Sequence, residues 1–237
     1  MDTFERIVLH IPHSTEITEA QLAEWDNKDL IAKDVKRWTD WETDLIFDSK
    51  DELKKRVLVI QSKYSRFVVD VERLENDPLE EIGQGIIYET SHSGARRKIS
   101  QAEKSILMHY YVQHRELLNA VTSYPNTLIV DCHSFPSNIA DVDVCIGFNE
   151  DETTPSDETI SNIVKYFSHY NLKVGINTPY ANAIVGAQGS KSVMIELNKR
   201  IYWNEQNNQR KADAYKVAAK LKWLYQKLLG IQKPPSP

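Results

Sequence analysis

Three residues that could do hydrolytic chemistry, His13, His133 and Glu196, each stand at or just after a short apolar run. The runs are Ile7-Val8-Leu9-His10-Ile11-Pro12-His13-Ser14, Leu128-Ile129-Val130-Asp131-Cys132-His133-Ser134 and Val193-Met194-Ile195-Glu196-Leu197-Asn198. In an α/β sheet, polar groups just past the carboxyl ends of parallel strands converge on one crevice, where ligands usually bind. Two imidazoles and a carboxylate delivered in this way point to a zinc hydrolase, with the imidazoles as ligands and the carboxylate kept for acid–base work.

The individual residues refine that expectation. His13 follows Pro12 in a turn after the first run, whereas His10 lies within the run and reads as a core histidine or a partner of a ligand. Asp131 and His133 alternate onto one face of a strand, so the aspartate can accept the second N–H of the imidazole and fix its tautomer. Cys132 points the other way and reads as a small hydrophobe. A catalytic zinc usually keeps three protein ligands. The third is sought in Asp40-Trp41-Glu42-Thr43-Asp44-Leu45-Ile46-Phe47, where Asp40, Asp44 and Phe47 share a helical face by the i, i+4, i+7 rule. Phe47 should point inward and carry the aspartates with it; Asp44 is preferred as ligand over Asp40.

Glu196 closes an otherwise apolar run, where a carboxylate is costly without a task or a partner. It is expected to be the general base, the alternative being an ion pair with Lys199 or Arg200. Arg66 and Arg73 flank the run Phe67–Val71 and are candidates for gripping a substrate carboxylate in a bidentate fork. Arg66 could instead form a structural pair with Asp70. Tyr180, in the turn Asn177-Thr178-Pro179-Tyr180, could lie over the site or belong to an ordinary turn.

Elements must position these groups. Strand-length apolar runs occur at Ile7–Ile11, Val57–Ile60, Phe67–Val71, Leu128–Val130, Val142–Ile146 and Val193–Leu197. Helical patterns lie between them: a segment capped by Thr18 with Gln21 three residues on, Leu30 to Phe47, Ser100 to Val121 opening on Ser100 and Glu103, Ser156 to Tyr170, and Gln209 to Leu229. Alternating strands and helices predict an α/β fold, a mainly parallel mixed sheet with helices on both faces. Residues 72–98 show no clear period and read as a long functional loop. We expect one domain over residues 1–230 and a loose Pro-rich tail over 231–237.

Composition narrows the function classes. With 41% hydrophobic and 27% charged residues the chain is too apolar for disorder, and a net charge of −5 offers no excess of cations for nucleic acid. No signal-peptide pattern and no membrane-length apolar stretch is visible. Two cysteines cannot make a disulfide framework, so a reducing cytoplasm is the default expectation.

Taken together the motifs resemble the N-formylglutamate amidohydrolase family, related to zinc carboxypeptidases and aspartoacylases. The matching stretches run in order: His10 to Ser14, Asp40 to Phe47, Ser65 to Arg73, Tyr111 to His114, Asp131 to Ser134, Asn177 to Tyr180 and Ile195 to Asn198. The resemblance implies a zinc-exopeptidase-like (phosphorylase/hydrolase-like) α/β fold and zinc-assisted hydrolysis of the amide of a small N-formyl or N-acyl amino acid. It implies that His13, His133 and the helix aspartate hold zinc, that Glu196 is the catalytic carboxylate and that Arg73 meets a substrate carboxylate. Three positions depart from the family pattern: Glu72 where Asn is usual, Lys199 where arginine is common, and Ala181-Asn182-Ala183 where a Gly-Gly pair is common. The hydrolytic groups are kept while the groups that choose the substrate differ.

Overall fold

The computed structural model describes residues 2–48, 53 and 55–231. Its elements run β1 (Arg6–Ile11), α1 (Glu19–Leu22), α2 (Lys28–Trp38), α3 (Thr43–Phe47), β2 (Val57–Gln61), α4 (Gln101–Thr122), β3 (Thr127–Phe135), β4 (Val144–Gly147), α5 (Asp157–His169), β5 (Val174–Ile176), β6 (Lys191–Asn198), β7 (Trp203–Asn204), β8 (Gln209–Arg210) and α6 (Ala214–Leu228). The chain divides into two compact units, one of Met1–Ile11, Glu42–Ile60 and Leu118–Pro237, the other of Pro12–Trp41 and Gln61–Leu117.

The first unit is built on a six-stranded sheet in the order β2-β1-β3-β6-β4-β5. β1 pairs parallel with β3, β3 with β6 and β4 with β5, while β4 runs antiparallel to β6. The expected α/β fold with a mainly parallel mixed sheet is therefore what forms. β3 is buried along its whole length, which is why its sequence shows no simple alternation of apolar and polar residues. Val8 and Ile129 are register partners and so share a face, where they pack with Ile60, Leu118 and Ile184. Cys132 lies on the opposite face, beside the buried Tyr225 of α6, whose hydroxyl donates to the Phe47 carbonyl of α3 at 3.2 Å. Helices thus cover both faces.

The second unit packs Trp25, Ile31, Phe67, Val68, Val69, Ile86, Ile87, Tyr88, Leu107 and Tyr111 into one core. Its helices begin where the sequence signals them. Thr18 and Gln21 close a capping box on α1, and Ser100 and Glu103 do the same at the head of α4.

Three local expectations are corrected. Phe67–Val71 is not a strand: the amides of Val68 and Val69 both donate to the Ser65 carbonyl, at 2.9 and 3.2 Å, forming a buried turn. Leu30 to Phe47 is not one helix either, because Thr39 is extended and Glu42 adopts φ 55°, ending α2 and restarting the chain as α3. The pattern from Gln209 opens with β8, paired to β7, before α6 starts at Ala214. The stretch 72–98 carries a 3-10 helix at Pro78–Ile82, isolated bridges Gln84↔Tyr88, Thr90↔Arg96 and Trp25↔Arg97, and otherwise loop. The tail beyond Ile231 lies outside the described residues. Among the described residues no helix is long and apolar enough to cross a membrane.

Phe67 has no exposed surface and meets Tyr88 edge-on, ring centroids 5.6 Å apart. Phe67→Ala is expected to lower the unfolding free energy by about 3–5 kcal/mol, read from chemical denaturation. A loss below about 1 kcal/mol would show that this turn is not a core element.

Candidate functional site

In the first unit the parallel register of β3 and β6 sets His133 directly beside Glu196, and the antiparallel pairing of β4 sets Cys145 on the other flank of Glu196. Register partners present their side chains on one face, so the imidazole and the carboxylate are neighbours by construction. Both lie inside their strands, two residues before the ends at Phe135 and Asn198, rather than past them as the sequence suggested. Glu196 is 8% exposed. Arg200, one of its expected ion-pair partners, instead reaches Asp141 and Asp143 at 3.0 and 2.9 Å.

Behind this pair lies a fully buried carboxylate. Asp131 Oδ1 takes a 2.8 Å hydrogen bond from His10 Nδ1 and lies 3.1 Å from His133 Nε2, and Oδ2 accepts the Ile184 amide at 2.9 Å. Burial alone would raise its pKa; the charge attraction of His133 and the bond from His10 outweigh that and hold the carboxyl well below the ordinary carboxylate range. Asp131 thus lies beside the His133 ring, where the sequence reading expected it, while its side-chain hydrogen bond comes from His10.

The second unit repeats the device. His13 Nε2 lies 2.8 Å from Asp70 Oδ1, and its Nδ1 lies 3.8 Å from Asp40 Oδ2. Asp70 also holds Arg66 Nη2 at 3.3 Å and Arg73 Nε at 3.6 Å. Burial works against its ionisation, yet His13 and then Arg66 keep its pKa depressed. In return Asp70 raises both arginines against the effect of burial. Arg73 further meets Asp77 at 3.8 Å and the Tyr88 hydroxyl at 3.4 Å. The structural pair between Arg66 and Asp70 is thus real, but it uses only one edge of the guanidinium: Arg66 Nε is a buried donor without an acceptor.

His13 and Glu72 of the second unit and His133 of the first are residues of metal-ligating type. A ring nitrogen that donates to a carboxylate leaves the other with its lone pair, which is the form a metal takes. Within the second unit Glu72 lies 3.6 Å from His13 Nε2, a carboxylate the sequence reading did not consider when it preferred Asp44 as the third ligand. Asp44 is half-buried in the first turn of α3, in the first unit. The argument that placed Asp40 and Asp44 on one helical face fails, because the helix breaks between them. Asp40 is buried and its amide donates to the His13 carbonyl at 3.0 Å. Tyr180 is half-buried, its ring edge-on to Phe135 with centroids 6.1 Å apart, two residues beyond His133. Sequence reasoning gave no role to Tyr88; nothing in its local pattern marks it. Glu72 was visible only as a departure from the family.

Buried imidazoles backed by carboxylates, with a glutamate alongside, equip a protein for metal-assisted hydrolysis. The family model of N-formylglutamate amidohydrolase matches residues 5–203, and the chain belongs to that family. Among solved structures it is similar to an N-formylglutamate amidohydrolase from Ralstonia eutropha JMP134, with TM-score 0.72, 16% identity, and coverage of 97% of this chain and 93% of that one. It is also similar to the gene product Atu2144 from Agrobacterium tumefaciens, with TM-score 0.66, 16% identity and coverage of 97% and 92%. None of the curated proteins matches. The two structures share the fold, and the family makes the chain a hydrolase of carbon–nitrogen amide bonds.

The depressed pKa of Asp131 ties stability to pH with a definite sign. A carboxyl whose folded pKa lies below its unfolded value, near 3.9, adds stability above that value and loses it as pH falls toward the folded pKa. Asp131→Asn should therefore lower stability at pH 7 while leaving it flatter below about pH 4 than in the wild type. Denaturant titrations at a series of pH values would show this; an acid limb identical in the two proteins would remove Asp131 from the account.

Proposed function

We propose that this protein is a zinc-dependent amidohydrolase that cleaves the amide of a small N-formyl or N-acyl amino acid. The observation that carries the reading is the register of β3 and β6, which seats Glu196 beside His133 with Asp131 behind the imidazole. The donor set fits zinc, which takes imidazole nitrogen and carboxylate oxygen and in catalytic sites keeps three protein ligands. His13, Glu72 and His133 would hold it, the two imidazoles oriented by Asp70 and Asp131. Bound there, zinc would polarise the amide carbonyl and lower the pKa of a water molecule to about 7.

The chain's own residues supply the rest. Glu196, held in β6 among apolar neighbours, takes the proton of the attacking water and returns it to the departing nitrogen. Arg66 and Arg73, both gathered on Asp70, offer guanidinium forks for the substrate carboxylate. Tyr180 borders the β3 end of the site.

Glu196→Gln should keep its bound zinc and lose about 10²–10⁴-fold in kcat on N-formyl and N-acyl amino acids. Zinc-loaded wild type assayed in parallel on dipeptides separates an amidohydrolase from a peptidase. Unchanged turnover in the glutamine variant would discard the mechanism, and cleavage of dipeptides alone would discard the substrate class.

A further inference from the structure

The buried run of β1 is apolar except at one position. Ile7, Val8, Leu9 and Ile11 have no exposed surface, and His10 is as completely buried among them. An imidazole in such surroundings is costly unless its ring nitrogens find partners. The register of β1 and β3 sets His10 opposite Asp131, and alternation along β3 brings His133 onto the same face two residues further on. All three residues belong to the first unit, as does Glu196.

Asp131 is held from two directions. Oδ1 accepts from His10 Nδ1 at 2.8 Å, and Oδ2 accepts the Ile184 amide at 2.9 Å. The Ile184 side is itself anchored. The Ser192 hydroxyl donates to the Ile184 carbonyl at 2.6 Å, and the Asn149 side chain closes two bonds with the Ala183 backbone at 3.1 and 3.2 Å. The Ile184 side chain packs with Val8 and Ile129 on this face of the sheet. The amide alone would leave the carboxylate able to turn about its Cβ–Cγ bond. A second donor, on the other oxygen, sets the plane of the group and keeps Oδ1 at 3.1 Å from His133 Nε2. The negative charge there favours the ring proton on that nitrogen and leaves the other with its lone pair. An aliphatic side chain would complete the apolar run of β1 as well as His10 does. What a donor at position 10 adds is the orientation of the carboxylate.

We infer that His10 is a positioning residue: acting through Asp131, it keeps the His133 imidazole in the tautomer and orientation in which it can bind a metal. The consequence for turnover rests on the amidohydrolase reading, whereas the tautomer of His133 is observable without it.

The test compares wild type, His10→Asn and His10→Leu. Asparagine places an amide N–H where Nδ1 stands, and leucine fills the space without a donor. Imidazole 15N spectra of the metal-free proteins, with His133 assigned from its loss in His133→Ala, should show one His133 tautomer in wild type and His10→Asn and a mixture in His10→Leu. Zinc affinity from chelator competition should fall about 10–100-fold in His10→Leu, the scale for losing a partner of a ligand, and be largely restored in His10→Asn. On N-formyl amino acids kcat should follow the same order, with KM little changed. If His10→Leu does not fold, His10→Gln takes its place, since its amide falls at the position of Nε2. One His133 tautomer in all the proteins, or an asparagine variant that is as stable as wild type yet behaves like leucine, overturns the inference. A wild type that neither binds zinc nor hydrolyses these compounds removes the hydrolase reading by itself. The spectra then still decide: a tautomer lost in His10→Leu and restored in His10→Asn upholds the role of His10, and an unchanged one overturns it.

Discussion

A carboxylate with almost no exposed surface survives as an anion only where donors and cations surround it, and the candidate site depends on two such carboxylates. Asp131 is sealed in the sheet and met by His10, His133 and the Ile184 amide. Asp70 is sealed in the second unit and met by His13, Arg66 and Arg73. Each is compensated by the residues it positions. The histidines are kept in one orientation and one tautomer because moving them would strand a buried charge, a loss of several kcal/mol. Orientation of the imidazoles and stability of the fold are therefore one property, and both carboxyls are held ionised far below neutral pH.

The sheet brings His133 and Glu196 together by register alone. With β3 and β6 parallel and the two residues opposite each other, no loop has to place the proposed base beside the imidazole. Rigid strands hold such pairs more closely than loops can. The arginines proposed to meet the substrate are set differently, on turns: the buried turn Ser65–Val69 places Arg66, and Asp70 anchors Arg73.

The sheet strands could be read from the sequence because β-rich apolar runs buried on both faces leave a strong trace, and the caps at Thr18 and Ser100 because their chemistry is local. Phe67–Val71 has the same composition but closes its hydrogen bonds on Ser65, a choice that depends on the core around it and not on its own pattern. The break between α2 and α3 carries no Gly or Pro; Glu42 in a left-handed conformation ends a periodicity that runs on in the letters, and the inference about Asp40 and Asp44 fell with it. His13, His133 and Asp131 were legible from spacing, whereas Asp70 was read only as a partner of Arg66 and not of His13. Glu72 was not legible, because a carboxylate in a loop acquires meaning only from the histidine it approaches.

Metal content tests most directly the proposal that His13, Glu72 and His133 are ligands of one metal ion. Tag-free wild type, His133→Ala, Glu72→Gln and Asp44→Asn would be loaded with zinc, dialysed and measured by mass spectrometry. The account predicts close to one zinc per chain in wild type and in Asp44→Asn, and a marked loss in the other two, because removing a ligand weakens the site and removing a residue outside it does not. Zinc retained in His133→Ala, or lost in Asp44→Asn while Glu72→Gln keeps it, would contradict the triad.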